Sequence, residues 1–281
     1  MSTRTYYDPL HHSISLNSAI PEEQMVMELI DSSPFQRLRR IKQLGPAYLT
    51  FHGAESSRFT HSLGVFHIAR RAINHLAELD SRLKEHKFIL YGAALLHDLG
   101  HGPLSHTSEE IFKIKHEIWT AKLINSNQEI AMILNRYGKG NAKAISDLIQ
   151  LRKAPEKSII SLISSQLDCD RLDYLMRDSY TTGARYGQLD IDRIISAMII
   201  APDGDLAIHP KGLMAVEHYL VIRNLMYRSV YNHRLNEVCN WLLEKIIKTA
   251  RKIGPNKLWA DKNMSEWLWN YEKMSLESFL S

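Results

Sequence analysis

The stretch LLHDLGHGPLSH, residues 95–106, sets three histidines, an aspartate, two glycines and a proline directly behind an apolar run. Residues 91–96 read as buried, with Gly92 as the one gap. A charged Asp98 at the end of such a run is costly unless a cation or a donor meets it. A metal ion answers that need, with His97 as its neighbour. Adjacent residues on an ideal helix project about 100° apart, but at a helix end the backbone relaxes enough for both side chains to reach one ion. Nine of the 14 histidines (His52, His61, His67, His75, His86, His97, His101, His106 and His116) fall within residues 52–116, which composition alone does not require. For His67, His75 and His86 a place at a helix end or in solvent is explanation enough.

Two ligands do not make a site. His61 opens a helical pattern whose apolar face includes Val65 and Ile68, so its ring can turn inward as a third ligand. Asp170, within SSQLDCDRLDYLMRD at 164–178, can supply a fourth. Imidazole mixed with carboxylate suits Fe, Mn, Ni, Zn or Mg and leaves room for water.

Helical periodicity fills most of the chain, over 59–79, 87–96, 110–124, 128–136, 141–151, 168–177 and 213–252. Strand signal is confined to MIIAPDGDLAIH at 198–209, where Pro-Asp-Gly separates two short apolar runs as a hairpin turn does. The expectation is an all-α fold with one small β-hairpin, organised as a domain over 1–252 and a helical extension over 253–281 that carries Trp267, Trp269 and Tyr271. A chain of 281 residues, 44% hydrophobic, suffices for one large core. The net charge of +4 permits an anionic partner without indicating nucleic acid. Two cysteines, Cys169 and Cys239, point to a reducing compartment. No leading segment reads as a signal peptide, and no stretch approaches the about 20 apolar residues of a membrane span. A soluble, cytoplasmic protein is expected.

RFTHSLG at 58–64, LLHDLGHGPLSH and DCDRLDYLMRD at 168–178 together resemble the H…HD…D signature of the HD-domain phosphohydrolases. FQRLRRIKQLG at 35–45, YYDPLHHSISL at 6–16 and RNLMYRSVYNHR at 223–234 are similar to its deoxynucleoside triphosphate triphosphohydrolase branch. The resemblance runs from about Tyr7 to Lys252 and then fades, so the chain is expected to end before the C-terminal lobe of larger members. It implies a mostly helical HD-domain fold and hydrolysis of a dNTP to deoxynucleoside and inorganic triphosphate. A divalent ion on His61, His97, Asp98 and Asp170 would activate water and polarise the phosphoryl oxygen. Arg58, Arg171 and Arg223 suit phosphate oxygens through paired hydrogen bonds. His106 is the first choice of general acid, oriented by Glu109 where family members tend to carry Asp; His116 is the second choice, and His101 assists at the phosphates.

Asp170, Tyr174 and Asp178 recur every four residues and so share one helical face. On that stripe Tyr174 can pack on a sugar and Asp178 can accept its 3′ hydroxyl. The resemblance implies the same duties, adds Gln43 with its neighbour Leu44 near the 3′ hydroxyl, and has Tyr174 leave no space for a 2′ hydroxyl. Arg223 and Tyr231, eight residues apart, can clamp phosphates and base. The resemblance further implies dimers or tetramers activated by GTP or a dNTP at Asp31, Gln36 and Arg39. Asp31 followed by Ser32, Ser33 and Pro34 reads equally as a helix start. Two other functions fit these residues: another HD phosphohydrolase, acting on a nucleoside monophosphate or phosphodiester, and a non-catalytic module for nucleotides or single-stranded nucleic acid. The Tyr174–Asp178 stripe and the arginines favour the triphosphohydrolase, and the intact ligands with His106 and His116 count against the module.

Overall fold

The computed structural model describes residues 2–281. It opens with a hairpin of β1 (Thr3–Asp8) and β2 (His12–Asn17), paired antiparallel from Thr3–Asn17 to Asp8–His12. No strand is expected there, because Asp-Pro and two histidines interrupt a short alternation. The turn closes because Asp8 Oδ1 accepts the Leu10 and His11 amides at 2.9 and 3.0 Å, while His12 takes a left-handed φ of 56°. Ile14 and Leu16 then face the core between exposed serines.

The rest is helical: α1 (Pro21–Asp31), α2 (Ser33–Gln36), α3 (Arg58–Leu79), α4 (Lys87–Leu96), α5 (His106–Phe112), α6 (His116–Ser126), α7 (Gln128–Arg136), α8 (Asn141–Leu151), α9 (Lys157–Ile163), α10 (Cys169–Thr182) and α11 (Ile191–Ser196). The expected hairpin follows as β3 (Met198–Ile200) and β4 (Leu206–Ile208), in register Met198–Ile208. The chain finishes with α12 (Leu213–Met226), α13 (Arg234–Ile253), α14 (Lys262–Trp269) and α15 (Leu276–Leu280). Helix α3 lies at the centre, packed against α4 and α10. Its stripe of Leu63, Phe66, Ile68, Ala72, Ile73 and Leu76 is buried, and α4 is buried almost all round from Leu90 to Leu96. No helix among the described residues is long and apolar enough to cross a membrane.

Two helical runs read as continuous from periodicity are broken in the structure. The run at 110–124 divides where Lys113 adopts φ 59° and its amide bonds Glu109 O at 2.7 Å, ending α5; α6 restarts at His116. The run at 213–252 divides at a π-turn over Tyr227–Tyr231, and His233 caps α13 by accepting the Leu235 amide on Nδ1 at 3.3 Å. Neither break carries Gly or Pro, so periodicity passes over both. The segment beyond residue 253 sets Leu268, Tyr271, Met274 and Phe279 in the same core as the preceding helices.

Candidate active site

Ser57 starts α3 by accepting the Thr60 amide on its side chain, and His61 lies one turn in, buried. Its Nδ1 donates to Asp173 Oδ2 at 2.8 Å, while Nδ1 of His97 at the end of α4 donates to Ala94 O at 2.9 Å. These partners assign the tautomers and turn both Nε2 lone pairs toward one point, 3.3 Å apart. Asp170 Oδ1 stands 3.0 Å from Nε2 of His61 and 3.8 Å from that of His97. Asp98 Oδ2 is 3.7 Å from the first, and its Oδ1 3.4 Å from the second.

Three of the four predicted ligands, His61, His97 and Asp170, therefore converge within 4.8 Å of one another, Asp98 flanks them with one oxygen toward each imidazole, and the donor set fits a divalent cation. Such separations are those of atoms about 2.0–2.2 Å from a common ion. Two lone pairs and two carboxylates crowded together repel unless a positive charge lies among them. The chain's own charges show this demand: against its burial, Asp170 and Asp173 push the His61 imidazole up to about 10. Asp98 is held well below the carboxylate range although buried, by Arg58, His97 and His101.

Arg58 does not reach into open space. Its guanidinium is buried, pairs with Asp98, donates to Ser105 Oγ at 2.9 Å and approaches Gln43 O at 3.3 Å. Beyond Asp98 a second cluster gathers on Glu109. One oxygen, Oε1, lies 3.0, 3.2 and 2.9 Å from Nδ1 of His101, His106 and His116. The His101 ring stacks on His116 with centroids 3.9 Å apart and brings Nε2 to 3.2 Å from Asp98, so it spans the two clusters. Burial, with Arg58 and His116 adding to it, pushes His101 down to about 3 and keeps it neutral. His116 is raised instead, because Glu109 and Asp98 outweigh its burial. His106 is the exposed member, with 63% of its side chain accessible.

His106 opens onto a cleft of about 450 Å³ lined also by Gln43, Leu44, Tyr174, Asp178 and Tyr231, which brings those predicted residues together. Tyr231 donates to Asp178 Oδ2 at 2.9 Å, and its ring meets Tyr174 edge-on at 5.9 Å. Burial pushes Asp178 up to about 7 against that donation. Gln43 Oε1, Asp178 Oδ1 and Asn236 Oδ1 are buried without partners, and all three are acceptors. These three acceptors are unmet by any donor of the chain, and a hydroxyl or exocyclic amine supplies one.

Arg171 and Arg223 are held outside this lining. Arg171 pairs with Asp168 one turn back, and Arg223 donates to Gln166 Oε1 at 2.8 Å. Asp31 binds Arg4 at 2.7 Å, Gln36 donates to Ile30 O, and Arg39 donates to Gln36 and lies 3.6 Å over the Phe59 ring. Sequence reasoning passed over Asp173, Arg177 and Asn236. A carboxylate and a guanidinium four residues apart, interleaved with the apolar Leu172, Leu175 and Met176, were the available signal for the first two. Gly64 gives them room, since a Cβ there would stand 1.9 Å from Asp173 Oδ1.

A family model described as HD domain matches residues 58–175, and one described as HD associated region matches 189–265. Uncharacterized protein YwfO of Bacillus subtilis is 40% identical over 89% of this chain and 56% of its own length. Deoxynucleoside triphosphate triphosphohydrolase SAMHD1 of Homo sapiens is 30% identical over 84% of this chain and 43% of its own. The crystal structure of a phosphohydrolase from Bacteroides thetaiotaomicron superposes with a TM-score of 0.84 at 29% identity, covering 99% of this chain and 69% of that one. A hypothetical protein from Aquifex aeolicus does so at 0.77 and 33%, covering 99% and 74%. The chain spans about half the length of the curated relatives it matches.

Proposed function

The chain belongs to the HD-domain family, and from that premise we propose that it is a metal-dependent phosphohydrolase that splits deoxynucleoside triphosphates into deoxynucleoside and inorganic triphosphate. The observation that carries this reading is the cleft beside the ligand cluster, lined by Gln43, Tyr174, Asp178 and Tyr231 and holding the unpartnered acceptors Gln43 Oε1 and Asp178 Oδ1. A deoxyribose 3′ hydroxyl supplies a donor to Asp178 Oδ1 or Gln43 Oε1, and the Tyr174 ring packs on the sugar face. A divalent ion on His61, His97, Asp98 and Asp170 supplies water activation and charge neutralisation at the phosphorus. His106 gives a proton from Nε2 to the departing 5′ oxygen while Glu109 steadies its Nδ1. His101, kept neutral and wholly buried between Glu109 and Asp98, bears on the phosphates only through these two carboxylates rather than by direct contact, and His116 stores the proton nearest to Glu109.

One observation favours the second reading, hydrolysis of a nucleoside monophosphate or phosphodiester: Arg171 and Arg223 turn to Asp168 and Gln166 rather than into the cleft. Incubation with each dNTP and Mn²⁺, followed by chromatography of the products, separates the two. Inorganic triphosphate is the expected product, whereas pyrophosphate or single phosphates select the second reading. In the same assay Tyr174→Ala is expected to narrow the dNTP-to-NTP ratio of kcat/KM, from a bias that an apolar wall limits to roughly 10²-fold. An unchanged ratio would move sugar selection to Gln43 and Asp178. Size-exclusion chromatography with and without GTP tests the remaining parts of the reading, assembly into a dimer or tetramer and an activating nucleotide at Asp31, Gln36 and Arg39.

A further inference from the structure

The turn of the N-terminal hairpin reaches the candidate metal centre from 50 residues away in the chain. Asp173, wholly buried on α10, accepts four donors: His61 Nδ1 at 2.8 Å, Arg177 Nε at 2.8 Å, Arg177 Nη2 at 2.9 Å and His11 Nε2 at 2.6 Å. A carboxylate offers about four lone-pair sites, so this one is saturated. The remaining Arg177 nitrogen, Nη1, donates to Asp8 Oδ2 at 2.8 Å. Asp8 uses its other oxygen to close the turn that presents His11. The His11 ring, its side chain 4% exposed, is backed by the His67 ring at 5.3 Å.

We propose that His11, held by the Asp8 turn, is a positioning residue for the metal ligand His61, acting through the carboxylate of Asp173. The physical argument concerns orientation. Asp173 Oδ2 fixes the tautomer and ring plane of His61, and the carboxylate can rotate about its χ2 unless its second oxygen is also pinned. Arg177 alone grips both oxygens from one side, along its own helix. His11 grips Oδ1 from a different element and so fixes the carboxylate plane in the direction Arg177 leaves free. The Asp8–Arg177 pair ties the same turn to α10, and removing its charge loosens both. This inference rests on the reading of His61 as a metal ligand.

Three variants of the full chain test it: His11→Phe keeps a ring against His67 and removes the donor, His11→Gln keeps a donor at the reach of Nε2, and Asp8→Asn keeps the turn acceptor while removing the charge that faces Arg177. Metal-free proteins are titrated with Co²⁺, following affinity by calorimetry and ligand geometry by the visible absorption bands, with thermal unfolding of the metal-free forms alongside. Loss of an outer partner typically costs about 10–100-fold in metal affinity. His11→Phe is expected to lose affinity on that scale and to shift the Co²⁺ bands, with Asp8→Asn losing less and His11→Gln restoring wild-type bands. Wild-type affinity and bands in His11→Phe would overturn the proposal, as would equal losses in His11→Phe and His11→Gln. Failure of the metal-site reading shows differently, as no saturable Co²⁺ binding by the wild-type chain, and that result overturns the positioning role with it.

Discussion

Asp98 and Asp170 are both expected to be indispensable for the ion, yet their surroundings differ in a way that separates them experimentally. Asp98 is buried against Arg58, whereas 36% of the Asp170 side chain is accessible. Removing one partner of a buried pair leaves the other charge uncompensated, at a cost of about 3–5 kcal/mol. Asp98→Ala should therefore lose metal content and also unfold at a markedly lower temperature. Asp170→Ala should lose metal content with a smaller fall in the metal-free melting temperature, since it relieves crowding with Asp98 and leaves the buried His61 ring its Asp173 partner. Metal analysis with calorimetry of the metal-free proteins checks both, and full metal content in either variant would remove it from the ligand set. The four candidate ligands were legible in the sequence because each is a costly residue type at the edge of an apolar run. The cost that Asp98 would carry was legible too, but not the partner that meets it: Arg58 reads from sequence as a phosphate contact, and only the packing of α3 on the 97–106 loop turns it inward.

At the scale of elements, spacing predicted α4, α7 and α8 to the residue, and it missed the two helix breaks and the first hairpin. Two of these misses share a cause: the hairpin turn and the π-turn are fixed by side-chain contacts rather than by local preference. Asp8 closes the hairpin turn and Asn236 Nδ2 donates to the Val230 carbonyl at the π-turn at 2.9 Å, whereas the break at Lys113 is a backbone turn in which the left-handed Lys113 donates its amide to Glu109 O. The two glycines of the 97–106 loop look alike in sequence and differ in this respect as well. A Cβ on Gly100 would stand 2.2 Å from His116 O and 2.3 Å from Thr120 N, backbone atoms of α6. On Gly102 the nearest atoms are 3.6 and 3.8 Å away. Gly100→Ala must push the start of α6 outward and take His116 from Glu109, so a loss of about 1–3 kcal/mol by overpacking is expected together with a large loss of turnover. Gly102→Ala should stay within roughly 0.5 kcal/mol of wild type. Urea unfolding and initial rates on the two variants decide this, and equal effects would show that close approach of α6 to the loop does not hold the histidine cluster.

On the scale of the whole molecule, the two ends of the chain close over the centre. The first hairpin reaches α10, and α15 returns to the loop that carries His101. Phe279 stacks on Trp119 of α6 with centroids 4.4 Å apart, and the Arg37 guanidinium lies over the Phe279 ring, 4.5 Å from its centroid. Arg37 is buried, and among the described residues no carboxylate pairs with it; burial pushes it down to about 10. Its Nη2 donates to His101 O at 2.8 Å, so the same guanidinium holds the loop that carries the histidine cluster. The electron-rich face of Phe279 is thus one of few groups that meet this charge. Sequence showed the aromatic content of the extension but not its destination, because stacking over more than 150 residues of separation leaves no periodic trace. Phe279→Ala is expected to cost about 3–5 kcal/mol, the sum of lost burial and the cavity left under Trp119. It should also free Arg37 from His101 O and so lower kcat more than it raises KM, because the proposed proton transfer belongs to that loop while the proposed sugar contacts lie in the cleft. Phe279→Leu keeps most of the volume without the ring face and should restore much of the stability but little of the rate. Melting temperatures and steady-state kinetics of the two variants measure this, and wild-type kcat in Phe279→Leu would show that α15 contributes only burial.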